Sequence, residues 1–149
     1  MRRYPEHVSF KFKNPQYSKI IRENAELIAR KMGFSDDKIF ELAMAVDEAY
    51  ANAVEHAGKE HELEIEFSIY EDRLQISVAD SGCGFDFARL KIPKTLKNMQ
   101  GARGRGLSLM RRLSDGFELI SSPGSGTLVK IVKYLTHRKK RERKNAFSA

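Results

Sequence analysis

The apolar residues of this chain repeat with two different periods, and the order of those periods constrains the fold more than any other sequence feature. Alternation and short apolar runs between turn residues predict five strands, over residues 8–13, 63–69, 74–79, 117–121 and 127–135. Helical spacing predicts three helices, over residues 15–32, 36–57 and 106–113. This order predicts an α+β domain, a two-layer α/β sandwich in which a mixed, mostly antiparallel sheet carries the helices on one face.

Residues that begin and end helices support these boundaries. Asn14 before Pro15 favours a helix start, because the missing N–H of proline has no partner to lose in the first turn. Gly33 after the last apolar position predicts a C-cap. Ser35 predicts the N-cap of the second helix, and Asp36 in its first turn complements the positive end of the helix dipole.

The net charge of +7 is typical of a nucleic-acid-binding protein, but this charge is unevenly distributed along the chain. Residues 138–144 carry six basic side chains and one acidic one, a net charge of +5, so the rest of the chain carries only +2. We therefore predict one folded domain over residues 1–136 and a basic, disordered tail over 137–149. An acidic partner or RNA is the alternative role for the tail.

No apolar run approaches the ~18 residues that a membrane-spanning helix needs. The amino-terminal segment 1–13 also lacks the apolar centre of a secretion signal, so we expect a cytoplasmic protein. Cys83 is the single cysteine, which excludes an internal disulfide and a cysteine-based zinc site.

Three polar residues follow one another on the second helix, beside its apolar stripe. Glu48, Asn52 and His56 are spaced by four, so they form a line along the axis. A carboxylate and a carboxamide in this arrangement can hold a hydrated magnesium ion through oxygen and leave the acid free to accept a proton. An ordinary solvated helix face is the alternative.

An acid and two glycines follow the strand that ends at residue 79. Asp80 can accept a hydrogen bond from the exocyclic amine of a base, while Gly82 and Gly84 let the backbone approach a flat ring. A glycine turn that merely leaves a strand is the alternative. The segment 81–105 is long for a loop in a compact domain, and we interpret it as a functional lid.

Further glycines precede the third predicted helix. Gly104 and Gly106 are expected to open the helix and to expose backbone N–H groups at the positive end of its dipole, which is a phosphate-binding arrangement. Arg103 and Arg105 add positive charge there. Neither a P-loop nor a complete G-x-G-x-x-G motif is present, which disfavours a dinucleotide-binding fold.

Taken in chain order, these motifs resemble the N, G1 and G2 boxes of the GHKL ATP-binding superfamily. The matching residues are Glu48-x-x-x-Asn52, Asp80-x-Gly82-x-Gly84 and Gly104-x-Gly106. The segments 46–53 and 104–110 are similar to those of one branch, the anti-sigma-factor serine kinases of the RsbW and SpoIIAB type. The resemblance covers residues 8–135.

The resemblance implies the GHKL, or Bergerat, ATP-binding fold and a role for each matching residue. Glu48 would be the catalytic residue that activates an attacking hydroxyl, and Asn52 would be the Mg2+ ligand. Asp80 would read the adenine amino group, with Gly82 and Gly84 shaping the floor of the base pocket.

The same resemblance places the third glycine box at the hinge of the lid. Gly104 and Gly106 would lie against the phosphates, and Arg105 and Leu107 belong to the same nucleotide-binding group. Thr127 matches a threonine that many relatives place near the acid of the second box. Arg22 matches an arginine with which this branch meets its protein partners, although the surrounding residues differ.

In function, the resemblance implies an ATP-dependent serine/threonine kinase that uses ATP and Mg2+ and acts as an anti-sigma factor. Such proteins form homodimers, bind a sigma factor and phosphorylate a serine of a small antagonist protein. Two alternatives remain open: a nucleotide-dependent sigma-factor-binding module without kinase activity, and a switch kinase that acts on a regulatory scaffold. Nucleic-acid binding depends only on the basic tail, and nothing predicts membrane binding.

Two residues stay ambiguous at this point. Cys83 stands where several relatives carry a charged or polar residue, and we interpret it as a small filler because no motif places a base beside it. His56 either positions the second helix against the lid or faces water.

Overall fold

The computed structural model describes residues 5–13, 15–57, 62–82 and 102–136, with the backbone alone for Pro15, His56, Ala57 and residues 102–105. Helices and strands follow the order that the sequence predicts. They are β1 (Glu6–Phe12), a short 3₁₀ helix (Pro15–Tyr17), α1 (Ser18–Met32), α2 (Asp36–Ala57), β2 (Leu63–Ile69), β3 (Arg73–Asp80), α3 (Ala102–Leu113), β4 (Gly116–Ser121) and β5 (Thr127–Tyr134).

The strands form one five-stranded sheet in the order β1-β2-β3-β5-β4. Each of its four pairings is antiparallel, so the predicted α+β sandwich is confirmed and its sheet contains no parallel pair among the described strands. In β3, Leu74, Ile76 and Val78 are buried in the same cluster as residues of all three helices. The helices therefore pack on one face of the sheet, as expected.

The predicted apolar stripe of α2 is confirmed by burial. The side chain of one predicted member, Ala57, lies outside the described residues. The other members are at most 5% exposed, and they are Ile39, Leu42, Ala43, Val46, Ala49, Tyr50 and Ala53. The helix begins after Ser35, whose Oγ lies 3.4 Å from the Lys38 backbone N–H. At the end of α1, Gly33 has a φ of +95°, the left-handed conformation typical of a glycine C-cap.

Two helix boundaries differ from the sequence prediction. The first turn of the predicted first helix is a 3₁₀ helix, a common variation at the amino end of an α-helix. The prediction that Gly104 and Gly106 open the third helix is wrong, because α3 begins at Ala102 and includes both glycines. Leu107 and Met110 are fully buried, so packing outweighs the roughly 1 kcal/mol by which each glycine disfavours a helix.

Several predictions fall outside the described residues. These are the cap at Asn14, the residues Cys83 and Gly84, most of the predicted lid at 83–101, and the basic tail at 137–149. The boundary between a folded domain at 1–136 and a separate tail therefore stays a prediction. Within the described ranges, no helix combines the length and the apolar character that crossing a bilayer requires.

Candidate functional site

The ends of two central strands bring an acid and a hydroxyl side by side. Asp80, the last residue of β3, lies directly opposite Thr127, the first residue of β5. Both continue the alternation of the buried Val78 and Val129, so both lie on the face of the sheet that carries the helices. Thr127 is buried, and its Oγ1 lies 2.8 Å from Ser121 Oγ on the neighbouring strand.

The Asp80 carboxylate is oriented by the chain that follows it. The backbone N–H of Gly82 donates a hydrogen bond to Asp80 Oδ1 at 2.9 Å, which closes a turn directly after the strand. Gly82 is itself buried. The acid predicted to read a base is thus held in a fixed direction by the glycine predicted to lie beside it.

Gly126 packs against the backbone of Asp80, a contact that the sequence analysis missed. Its φ is +73°, and a Cβ atom at this position would lie only 2.1 Å from the Asp80 carbonyl oxygen. Ser121 Oγ donates a hydrogen bond to the Gly126 carbonyl at 3.1 Å. Only glycine fits here, and the sequence signal was the Gly-Thr pair at the start of β5.

The second group of predicted residues lies where α2 meets α3. Glu48 is half-buried on α2, and a Cβ atom at Gly106 would lie 3.0 Å from Glu48 Oε2. The absence of a side chain at Gly106 therefore lets the carboxylate lie against α3. Leu107, assigned above to the nucleotide-binding group, points into the core and is 0% exposed.

Asn52 lies one turn beyond Glu48 and is 8% exposed, which is unlike the solvated helix face considered as the alternative. A half-buried carboxylate and a buried carboxamide one turn apart supply oxygen donors of the kind that Mg2+ prefers. The part of the chain that the structure describes contains no group of three His, Cys, Asp or Glu residues suited to a metal ion. These residues fit an ion that takes few protein ligands and keeps phosphate and water oxygens, as Mg2+ commonly does.

Arg22 lies apart from both groups, between α1 and α2. Its Nη1 donates to Asp47 Oδ2 at 2.7 Å, and its Nε donates to Glu26 Oε1 at 3.1 Å. These contacts, the Glu26 hydrogen bond foremost, raise the pKa of Arg22 above its ordinary value. Burial raises the pKa of Asp47, and the Arg22 guanidinium opposes that shift.

A groove of about 700 Å3 follows the same two helices. Its walls include Arg22, Glu23 and Asp47, together with the apolar residues Ala51 and Val54. Neither Glu48 nor Asn52 lines it. Arg22 is thus placed on a different side of α2 from the predicted catalytic and metal-binding residues.

A buried lysine fixes α3 relative to the other layers. Lys133 on β5 is 4% exposed; its Nζ contacts the Glu41 carboxylate on α2 and donates to the Leu113 carbonyl at 2.6 Å. The carbonyl belongs to the last turn of α3, where a cation is favourable. Sequence analysis missed this residue because Lys133 occupies an apolar position of the strand alternation.

The predicted site residues therefore fall into two local groups. Asp80 lies with Gly82, Gly126 and Thr127, and Glu48 lies with Gly106 and the neighbouring Asn52. Gly84 lies outside the described residues, as do the side chains of His56 and Arg105, whereas Gly104 is described only as part of α3. The two groups belong to the sheet and to the helix layer, and α2 packs against both β3 and β5.

Comparison with known proteins matches most of the chain to one family. The Histidine kinase-like ATPase domain family matches residues 10–133. The chain is 39% identical over 130 residues to the Serine-protein kinase RsbW of Bacillus subtilis (strain 168), covering 81% of this chain and 80% of that protein. It is 38% identical over 129 residues to a Serine-protein kinase RsbW of Bacillus cereus, covering 80% and 79%.

Solved structures share the fold at low sequence identity. The RsbU and RsbW domains of a Mycobacterium tuberculosis protein superpose with a TM-score of 0.61 at 16% identity, covering 91% of this chain and 34% of that one. The catalytic domain of the histidine kinase ThkA superposes with a TM-score of 0.52 at 16% identity, covering 89% of this chain and 99% of that one.

Proposed function

Because the chain belongs to the histidine kinase-like ATPase domain family and is a kinase of the GHKL type, we propose that it is a cytoplasmic, ATP-dependent protein serine kinase that acts as an anti-sigma factor. It binds a sigma factor and phosphorylates a serine of a small antagonist protein. The observation that carries the proposal is the placement of Glu48 against Gly106, one turn from the buried Asn52. The chain spans most of the length of the serine-protein kinases that it matches.

Asp80 recognises the adenine in this proposal. Its carboxylate accepts the Gly82 N–H through Oδ1, which sets the direction from which the carboxylate would accept the exocyclic amine of the base. Gly82 and Gly84 form the floor under the ring, since neither carries a side chain that blocks a flat base. Thr127 lies opposite Asp80 and contributes its hydroxyl group to the same end of the pocket.

Glu48 accepts the proton of the attacking serine hydroxyl. Phosphoryl transfer passes through a loose transition state, so the protein contributes chiefly by positioning the reactants and by offsetting charge. Asn52 holds Mg2+, which neutralises charge on the phosphates when it is bound. Gly104 and Arg105 lie in the first turn of α3, where free backbone N–H groups and the helix dipole favour a phosphate, and Gly106, the fifth residue of the helix, carries no side chain that would block the approach of the phosphates.

Arg22 and the groove between α1 and α2 form the protein-binding surface of the proposal. The groove combines the apolar residues Ala51 and Val54 with the charged Arg22, a composition that suits a protein partner. Arg22 is held in one direction by Glu26 and Asp47, so little side-chain entropy is lost when a partner binds it. The active form is a homodimer in which residues 1–136 make up the kinase domain.

Three variants test the chemistry with radiolabelled ATP and the cognate antagonist. Glu48→Ala should keep ATP binding and lose phosphate transfer, whereas Asn52→Ala should also weaken Mg2+-dependent nucleotide binding. Glu64→Ala is the matched control, because this exposed carboxylate lies on β2 among the side chains directed away from the helices, and it should leave both measurements unchanged.

The outcome also separates the alternatives for this chain. Glu48→Ala activity equal to that of the parent protein contradicts the role of Glu48 as the base. ATP binding by the parent protein without transfer to the antagonist identifies a sigma-factor-binding module that lacks kinase activity. Transfer to a regulatory scaffold protein instead of the antagonist identifies a switch kinase.

A further inference from the structure

Two contacts between α2 and α3 are spaced alike on both helices. Glu48 on α2 lies against Gly106 on α3. Seven residues before Glu48, the Glu41 carboxylate contacts Lys133 Nζ on β5. The same Nζ donates to the carbonyl of Leu113, seven residues after Gly106. Seven residues make close to two turns and about 10.5 Å of helix, so the two helices run antiparallel and keep one register between these contacts.

The same register aligns the residues that the proposed reaction uses. One turn beyond Glu48 on α2 comes Asn52, and one turn before Gly106 on α3 comes Ala102, the first residue of that helix. The proposed Mg2+ ligand is therefore placed opposite the amino end of α3, where free backbone N–H groups favour a phosphate. The proposed base, the metal ligand and the phosphate-binding turn thus depend on one alignment of two helices.

The carboxyl end of α3 is attached to β5 on both sides of Lys133. The Asp115 N–H donates to the Val132 carbonyl at 2.9 Å, and Asp115 Oδ2 accepts the Tyr134 N–H at 2.8 Å. Lys133 Nζ extends this attachment to α2 through the Glu41 carboxylate. Because a helix is a rigid element, the attachment at one end of α3 also sets where its glycine-containing amino end lies.

A buried charged group fixes direction in a way that an apolar contact does not. Lys133 is 4% exposed, and well-packed apolar residues often replace a buried ion pair without loss of stability. A lysine that binds both a carboxylate and a carbonyl, however, fixes the distance between the two groups, whereas apolar surfaces can slide. A slip by one residue moves one helix by about 1.5 Å along the other, and a misplacement of ~1 Å can slow a reaction by ~100-fold.

We propose that Lys133 is a positioning residue for phosphate transfer, because it sets the register of α3 against α2 and thereby the place of the phosphate-binding turn relative to Glu48. This inference rests on the proposed function. Lys133 acts about two helical turns from Glu48, through the two helices and without touching the reacting groups. The adenine is recognised by Asp80 at the end of the sheet, so loss of Lys133 should slow transfer more than it weakens ATP binding.

Kinetics of transfer to the antagonist, together with ATP titration calorimetry, test this difference well below the lowest Tm of the variants. Lys133→Met should lower kcat about 10- to 100-fold and change the Kd for ATP by less than about 3-fold. Lys38→Met is the matched control, because Lys38 Nζ donates to the carbonyls of Tyr134 and Leu135 and so links α2 to the end of β5 rather than to α3. Both measurements for Lys38→Met should stay within about 2-fold of the parent protein.

A double variant separates positioning from stability. Glu41→Leu combined with Lys133→Met removes both charged groups, and the apolar pair should regain about half or more of the Tm that Lys133→Met loses. We expect kcat to stay low in spite of this gain, since the apolar pair does not fix the register. Recovery of kcat together with Tm overturns the inference.

The Gly106 amide signal in the NMR spectrum reports the register without any reaction. It should move in Lys133→Met and in the double variant, and it should keep its position in Lys38→Met. An unmoved Gly106 signal in Lys133→Met, or a kcat of Lys133→Met within about 2-fold of the parent value, overturns the inference. Absence of transfer by the parent protein overturns the proposed function instead, and the Gly106 signal still decides whether Lys133 sets the register.

Discussion

Replacing Gly126 with alanine tests the packing that fixes the proposed adenine-binding acid. Gly126 and Gly124 lie in the same β4–β5 turn and have φ values of +73° and +80°. A Cβ atom at Gly124 meets nothing within 4 Å, whereas a Cβ atom at Gly126 would lie 2.1 Å from the Asp80 carbonyl oxygen. The two substitutions therefore share the backbone penalty and differ only in the contact with Asp80.

The expected losses of stability follow from the backbone penalty and from the contact with Asp80. A left-handed alanine costs roughly 1–2 kcal/mol, partly offset by the entropy that alanine removes from the unfolded chain, so Gly124→Ala should lose about 1 kcal/mol. Gly126→Ala adds an overpacking cost of roughly 1–3 kcal/mol, because backbone rather than a flexible side chain must move. At about 2–4 °C per kcal/mol for a domain of this size, the expected losses in Tm are ~2–4 °C and ~4–16 °C.

Differential scanning calorimetry measures the two Tm values, and titration calorimetry measures ATP affinity well below either Tm. Displacing Asp80 should weaken ATP binding by Gly126→Ala about 10-fold, the equivalent of one charge-assisted hydrogen bond, and leave Gly124→Ala within about 2-fold of the parent protein. Equal Tm values and equal affinities for the two variants would refute the assignment of Gly126 as the support of Asp80.

Two further predictions concern the charged contacts of the helix layer. Lys133→Met should lower the free energy of unfolding by about 1–3 kcal/mol, because the Glu41 carboxylate and the Leu113 carbonyl both lose their donor. The control Lys130→Met, on the outer face of the sheet, should change the free energy of unfolding by at most about 0.5 kcal/mol. Equal denaturation midpoints for the two variants would contradict this prediction. Arg22→Met should raise the pKa of Asp47 further, because the guanidinium lowers it. A carboxyl group with a raised folded pKa stabilises the protein fully below its unfolded pKa, and this stability is lost as the pH rises through the folded pKa. Because the folded pKa of Asp47 is higher in the variant, the variant should lose this stability at a higher pH than the parent protein. An unchanged Asp47 titration by NMR would refute this.

Much of the fold could be predicted from the sequence because its periods are unambiguous. Alternation identified the strands, and the helical stripe identified α2 with its observed bounds, Asp36–Ala57. The start of α3 was wrong because glycines suggested a loop, whereas the burial of Leu107 and Met110 against the core determines where the helix forms. Propensity is local, and packing of this kind becomes visible only in three dimensions.

The sequence nominated the candidate site residues, whose functional roles stay predictions, but it did not predict the contacts that hold them. Motif spacing identified Glu48, Asn52 and Asp80, since each lies on a regular element whose period fixes its direction. The contacts that Gly126 makes with Asp80 and that Lys133 makes with α2 and α3 were not predicted, for two different reasons. A glycine in a turn has an ordinary explanation, and a lysine at an apolar strand position shows its buried partners only when α2 and α3 are in place.

Nucleotide preference tests the central claim most directly, because it depends on Asp80 as the acceptor for the adenine amino group. Titration calorimetry with Mg2+ should show that the parent protein binds ATP with measurable heat and binds GTP about 10- to 100-fold more weakly, since GTP offers a carbonyl oxygen in place of that amine. Asp80→Asn should reduce this preference. No heat and no thermal stabilisation of the parent protein with saturating ATP, or an unchanged preference in Asp80→Asn, would contradict the account.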